Sequence, residues 1–293
     1  MRIHRFALQA VASAVLAVSA TAGHAITLVG ITSSNEIARI DTADIAGATR
    51  TAITGLAVGD RFVGIDLRPA NNTIYGVTQS NKIYTVDEFT GATSFVAALS
   101  SAVIDPMLGY GIDFNPVNDF NNLVALRLIS SAGSNFAVNA TTGAVGNSAN
   151  TIAPGFSGVA YTNSKPLPTS APAGTNLYYI DSTNDTLSKA TSAFNTPTIT
   201  GVGSLGVDVL QANGFEILGD GRAYAALNIN NNTSLVTGIY GINLATGAAT
   251  KLGDFNGTLS GLTASAVPEP ETYALMLAGL VGAGVMARRR KQG

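Results

Sequence analysis

Gly64 to Thr93 reads G-I-D-L-R-P-A-N-N-T-I-Y-G-V-T-Q-S-N-K-I-Y-T-V-D-E-F-T-G-A-T, with short alternating apolar runs parted by Asn-, Ser- and Gly-containing joins. Alternation with a period of two marks half-buried strands, and Asn and Gly at the joins supply turn conformations that other residues resist. Weaker copies recur along most of the chain. In Ile26 to Asp41, Gly30, Thr32, Ser34, Asn35, Ile37 and Asp41 fall on Gly76, Thr78, Ser80, Asn81, Ile83 and Asp87 at a constant offset of 46. The second strand of that pair, with its exit turn, returns at Phe136–Gly143, Tyr178–Asp185 and Ile239–Gly247, so five copies are visible.

The strand that opens each unit gives a sharper period. Gly64-Ile65-Asp66-Leu67, Gly111-Ile112-Asp113-Phe114, Gly158-Val159-Ala160-Tyr161, Gly214-Phe215-Glu216-Ile217 and Gly261-Leu262-Thr263-Ala264 align, their glycines 47, 47, 56 and 47 residues apart. The long interval contains the Pro-rich insertion Lys165 to Gly174, an expected extended loop. A period in the forties with about four strands per unit predicts a β-propeller. Ile26 begins at the second strand of a unit, whereas Leu259 to Ser265 supplies an opening strand followed only by a tail. Joined, they form one composite blade. The expected fold is therefore all-β, a five-bladed propeller of about four strands per blade, closed by pairing its N- and C-terminal strands. A β-solenoid or β-sandwich is the competing arrangement.

The two ends read differently. Arg2 and Arg5 precede an apolar stretch from Phe6 to Val18, and small residues follow at Ala22, Gly23 and Ala25. This is the pattern of a secretory signal peptide over residues 1–25. At the other end Val267-Pro268-Glu269-Pro270 leads into an apolar segment from Tyr273 to Ala287, closed by Arg288, Arg289, Arg290 and Lys291. A short hydrophobic helix with a basic stop reads as a membrane anchor whose basic end stays on the inner side.

Between the ends, residues 26–266 form the expected repeat domain. Both histidines, His4 and His24, lie before it, and the chain has no Cys or Trp. Without the six basic and two acidic residues of the ends, ten basic and sixteen acidic residues remain, a net charge of −6. That balance argues against nucleic acid as a partner, which needs clustered positive charge. Ser-His-Asp, Cys-His and zinc-water catalysis lack their residues, so no catalytic residue is assigned.

Aligned carboxylates remain. Asp66, Asp113 and Glu216 share one position in three opening strands, with Ala160 and Thr263 in the other two. Propeller opening strands line the central channel, where three acids could converge and hold Ca2+ or another hard cation. The other reading has each acid bonded to a neighbouring backbone N–H or to an arginine such as Arg68. Asp41, Asp87 and Asp181, with Asn139 and Asn243, form a second ladder before turns, where side-chain-to-backbone bonding is expected. Tyr75, Tyr84, Tyr178, Tyr179, Tyr224 and Tyr240 fall on strands, suited to inter-blade packing or to a sugar-stacking surface.

Pro268-Glu269-Pro270, the apolar segment and Arg288-Arg289-Arg290 resemble the PEP-CTERM sorting signal of Gram-negative bacteria, over residues 267–293. The resemblance implies export, transient inner-membrane anchoring, processing by an exosortase, and a place in the cell envelope, on the cell surface or in the extracellular (biofilm) matrix. The repeats resemble uncharacterised bacterial extracellular families of propeller type. Together these suggest an exported binding or structural protein, with extracellular polysaccharide as a candidate partner. The alternative is a lactonase-like hydrolase using a cation held by the three channel acids.

Overall fold

The computed structural model describes residues 25–230 and 235–266. The expected signal peptide, apart from Ala25, and the expected C-terminal helix lie outside the described residues. The chain opens with β1 (Thr27–Thr32), β2 (Glu36–Asp41) and β3 (Asp44–Ala52). A second blade follows as β4 (Phe62–Arg68), β5 (Thr73–Thr78), β6 (Lys82–Val86) and β7 (Thr93–Ala98). The third is β8 (Tyr110–Phe114), a helical turn α1 (Pro116–Phe120), β9 (Ala125–Ser130), β10 (Asn135–Asn139) and β11 (Val145–Gly146). The fourth is β12 (Phe156–Tyr161), β13 (Leu177–Asp181), β14 (Thr186–Ala190) and β15 (Thr200–Ser204). The fifth is β16 (Val209–Ile217), β17 (Ala223–Asn230), β18 (Leu235–Ile242) and β19 (Ala249–Phe255), after which β20 (Leu259–Ala264) remains.

Each blade is one four-stranded antiparallel sheet, and the first has the order β20-β1-β2-β3. β20 lies against β1 with Val29 opposite Thr263 and Gly30 opposite Leu262. The last strand thus completes the first blade, as the unpaired opening strand in the sequence predicts. The closure leaves no open edge at the seam.

The inner strands are β4, β8, β12, β16 and β20. Every residue of β8 and β12 is buried, whereas β3 and β7 at the rim are mostly exposed or half-buried. Neighbouring blades meet through apolar side chains: Tyr75, Val77 and Ile83 of the second pack with Phe114, Leu126 and Leu128 of the third. Each such side chain contributes about 1.5–3 kcal/mol on burial, and there is no disulfide to add to it. The opening glycines have a packing reason. A Cβ at Gly111 would stand 2.9 Å from the Val159 nitrogen of the next inner strand, and one at Gly261 would stand 3.1 Å from the Ile65 nitrogen. Adjacent inner strands approach backbone to backbone there.

Two local expectations change. Asp181 ends β13, the second strand of its blade, whereas Asp41, Asp87, Asn139 and Asn243 end or follow the third. The insertion before β13 lengthens the first loop of that blade and shifts the motif by a strand. Asp181 still caps a turn, accepting from the nitrogens of Thr183 and Asn184 at 2.8 and 3.0 Å. The insertion also does more than loop out: the Leu167 nitrogen donates to the Pro69 carbonyl at 2.8 Å, joining the fourth blade to the non-adjacent second. The helical turn α1 has no counterpart in the other copies of the repeat among the described residues. Asn115 caps it, accepting from the nitrogens of Val117 and Asn118, with Pro116 opening the turn.

Candidate functional site

The aligned acids meet at the centre of the ring. Asp66, Asp113 and Glu216 are buried, and each offers a carboxylate oxygen lying within 4.8 Å of the others. Each also reaches the next blade. An oxygen of Asp66 accepts the Phe114 N–H at 2.7 Å, Asp113 that of Tyr161 at 3.0 Å, and Glu216 that of Ala264 at 3.1 Å. Thr263 does the same with its hydroxyl, which accepts the Leu67 N–H at 2.8 Å. The rule is constant: the aligned residue of one inner strand takes the N–H one place beyond the aligned residue of the next. Ala160 has no side-chain acceptor, so the ring has a single gap.

Thr263 sets the proton count. Its oxygen lies 2.7 Å from Glu216 Oε2 and 3.1 Å from Asp66 Oδ1 while accepting from Leu67. A hydroxyl has one hydrogen. If it donates to Glu216, the Asp66 oxygen forms a hydrogen bond with Thr263 only by carrying a proton itself. Burial agrees with this. Desolvation, and then the Glu216 charge, push the Asp66 carboxyl well above its usual range; desolvation and the charges of Asp66 and Glu216 do the same to Asp113. Desolvation raises Glu216 as well, against hydrogen bonds from Thr263 and Ala264 that favour its ionised form. Protons or a cation can relieve the charge crowding. Calcium binds oxygens at about 2.3–2.6 Å, so oxygens up to 4.8 Å apart can share one ion.

Arg68 does not join the ring. Its Nε donates to buried Asp119 at 2.7 Å, and the other Asp119 oxygen accepts the Ala70 N–H at 2.8 Å. The six tyrosines are all buried, which suits inter-blade packing and offers no sugar-stacking surface.

A second cluster, which no motif announced, lies where the chain leaves the ring. Buried Glu88, after β6, accepts the Ala266 N–H at 2.9 Å and the Ser265 hydroxyl at 2.8 Å. Arg39 Nε holds the same carboxylate at 2.9 Å, and the Asn72 amide donates to the Ala266 carbonyl. A cleft of about 390 Å3 opens beside this junction, lined by Thr73, Thr85, Asp87, Phe89 and Ser94. Among the described residues, no helix is long and apolar enough to cross a membrane.

The fold and the junction define a class: a five-bladed propeller closed by its own last strand, running with almost no linker into its tail. Residues 36–263 match the model described as Domain of unknown function (DUF4394), and the chain belongs to that family. Residues 266–291 match the PEP-CTERM protein-sorting motif. The motif marks an exported protein that is processed by exosortase, with a membrane-associated C-terminus. No curated protein matches the chain. Among solved structures it is similar to regucalcin, a calcium-binding protein from Agrobacterium tumefaciens, at 13% identity and a TM-score of 0.41, over 74% of this chain and 66% of that one. It is also similar to a chain of the nidogen/laminin complex, at 14% identity and a TM-score of 0.47, over 83% of this chain and 98% of that one.

Proposed function

We propose that this protein is a surface- or matrix-associated binding or structural module of the cell envelope, delivered there by its C-terminal signal. The observation that carries the reading is the junction. Glu88 and Asn72 fasten Ser265 and Ala266 to the second blade, and the sorting motif begins at 266. The ring is therefore tied to whatever the tail is tied to. Burial of the three acids supports a non-catalytic role, since at 4%, 1% and 4% exposure they leave a hydrolytic substrate no approach. The test is fractionation of cells expressing the full chain and a chain ending at Ala266. Loss of the shortened protein from the envelope fraction is expected; unchanged location and abundance overturn the reading.

A second reading is favoured by the spacing of the carboxylate oxygens. Asp66, Asp113 and Glu216 hold a divalent cation that ties the second, third and fifth blades together, a structural role. Melting of the full chain with added Ca2+ tests it. A rise in Tm at millimolar metal supports the site, and no shift removes it.

A further inference from the structure

Arg127, on β9, is the most buried arginine among the described residues, 6% exposed. Arg39, Arg50, Arg68 and Arg222 each face a carboxylate. Arg127 faces none. Asp113 is its cross-strand neighbour but turns to the Tyr161 N–H. The guanidinium is held by neutral groups: Nε by the Tyr161 hydroxyl at 3.4 Å, and Nη1 by Asn135 Oδ1 at 3.1 Å and by the carbonyls of Asn135 and Phe136 at 3.4 and 3.3 Å. Nη2 has one acceptor, Asn195 Oδ1 at 3.0 Å. Its second N–H has none among the described residues. A buried cation with only neutral partners is costly, and an arriving anion would offset that cost.

Arg127 lines a cleft of about 200 Å3 between the third and fourth blades, together with Asn115, Asn118, Phe194, Asn195 and Thr196. No carboxylate lines it, in a domain whose net charge is −6. The cleft is also built. Asn135, 1% exposed, donates to the carbonyls of Phe194 and Asn195 at 3.1 and 3.3 Å, and Asn147 donates to Asn195 at 2.8 Å. The loop forming its outer wall is thus pinned to the third blade.

We propose that this cleft binds a sugar acid, its carboxylate on Arg127 and its hydroxyls on the amides and the Thr196 hydroxyl. Arginine recognises carboxylates through adjacent N–H groups, whereas amides and hydroxyls both donate to and accept from sugar hydroxyls. The volume is below the roughly 300–1,000 Å3 of drug-sized pockets and suits a single sugar ring. This deepens the binding role proposed above and rests on it for its setting only: mis-sorting of the tail-less chain alongside absent sugar binding would separate the two.

Glucuronate titrated into the full chain in detergent, followed by calorimetry and saturation-transfer NMR, is the test. Glucuronate is expected to saturate one site in the millimolar range, while glucose does not bind. The Asn118 side chain makes no hydrogen bond among the described residues, so Asn118→Asp is expected to keep the fold. It places a negative charge on the cleft wall and should weaken glucuronate about tenfold or more, while Arg127→Met should abolish binding. Retained melting behaviour of Asn118→Asp identifies its loss as local. Absence of glucuronate binding up to tens of millimolar, or equal affinity in Asn118→Asp, overturns the site. Equal binding of glucose, or displacement of glucuronate by equimolar phosphate, overturns its assignment to a sugar acid.

Discussion

Asp66 of one inner strand accepts the main-chain N–H of Phe114 on the next at 2.7 Å, both residues buried, and thereby joins two blades that share no sheet. Asp66→Ala removes the acceptor and leaves that N–H buried and unpaired, at a cost of about 1–3 kcal/mol. Asp66→Asn keeps an acceptor and removes a charge from a crowded centre, so it should cost less than the alanine change. Denaturant unfolding at neutral pH ranks the two. Equal losses would show that the bond to Phe114 does not matter.

The same crowding makes stability depend on pH. Burial raises Asp66, Asp113 and Glu216 in the folded state, and the charges of neighbouring carboxylates add to the rise of Asp66 and Asp113. In the window between their ordinary and raised values the folded chain binds more protons than the unfolded one, so stability falls as pH rises. Their contribution is complete below the ordinary carboxylate range and is lost as pH climbs through the raised values. In metal-free buffer, Tm should decline from mildly acidic to neutral pH. Asp113→Asn, which keeps an acceptor for Tyr161, should flatten the slope and raise the neutral Tm. A slope unchanged by that substitution would place the titrating groups elsewhere.

The period, the blade number and the closure were legible because each inner strand carries a glycine for close backbone approach and a polar residue at a fixed place. The convergence of Asp66, Asp113 and Glu216 could be read from the same alignment. Their partners could not, because the partner is a backbone N–H one residue past the repeat, which leaves no side-chain signature. The repeat puts Asp181 a strand too late because the insertion from Lys165 to Gly174 breaks the count. Glu88, Asn72 and Arg127 gave no signal at all. They are single residues at positions the repeat copies do not share, and the first two grip main chain more than 170 residues away in sequence.

The Thr-Gly pairs at the third-strand exits read as turns, and the structure gives them a second task. Gly143 has φ of +73°, and a Cβ there would overlap the carbonyl oxygen of Ala98 on the preceding blade; its own carbonyl accepts the Ser100 N–H at 2.8 Å. Gly143→Ala therefore meets both a disfavoured backbone conformation and a backbone atom that cannot swing aside. We expect a loss of about 2–3 kcal/mol, or roughly 5–10 °C in Tm for a domain of this size. A loss below about 0.5 kcal/mol, typical of an exposed turn, would mean that the blades separate there without penalty.

Glu88 makes the sharpest claim about the tail. Its carboxylate is shared by Arg39, the Ser265 hydroxyl and the Ala266 N–H, whereas β20 ends at Ala264 and the Ser265 N–H bonds to the Thr27 carbonyl. Glu88→Ala should leave the ring folded, because the bonds between β20 and β1 remain, yet release the last residues before the sorting motif. Limited proteolysis of the full chain in detergent, read by intact mass, reports this directly. Wild type should be trimmed to an end at or beyond Ala266, and Glu88→Ala to an earlier one, with near-equal melting temperatures. The Arg39→Met variant keeps the carboxylate bonds to Ser265 and Ala266 and should retain the wild-type end. If Glu88→Ala also keeps it, the junction is held by β20 alone, and the fastening of the tail to the second blade is not what positions it.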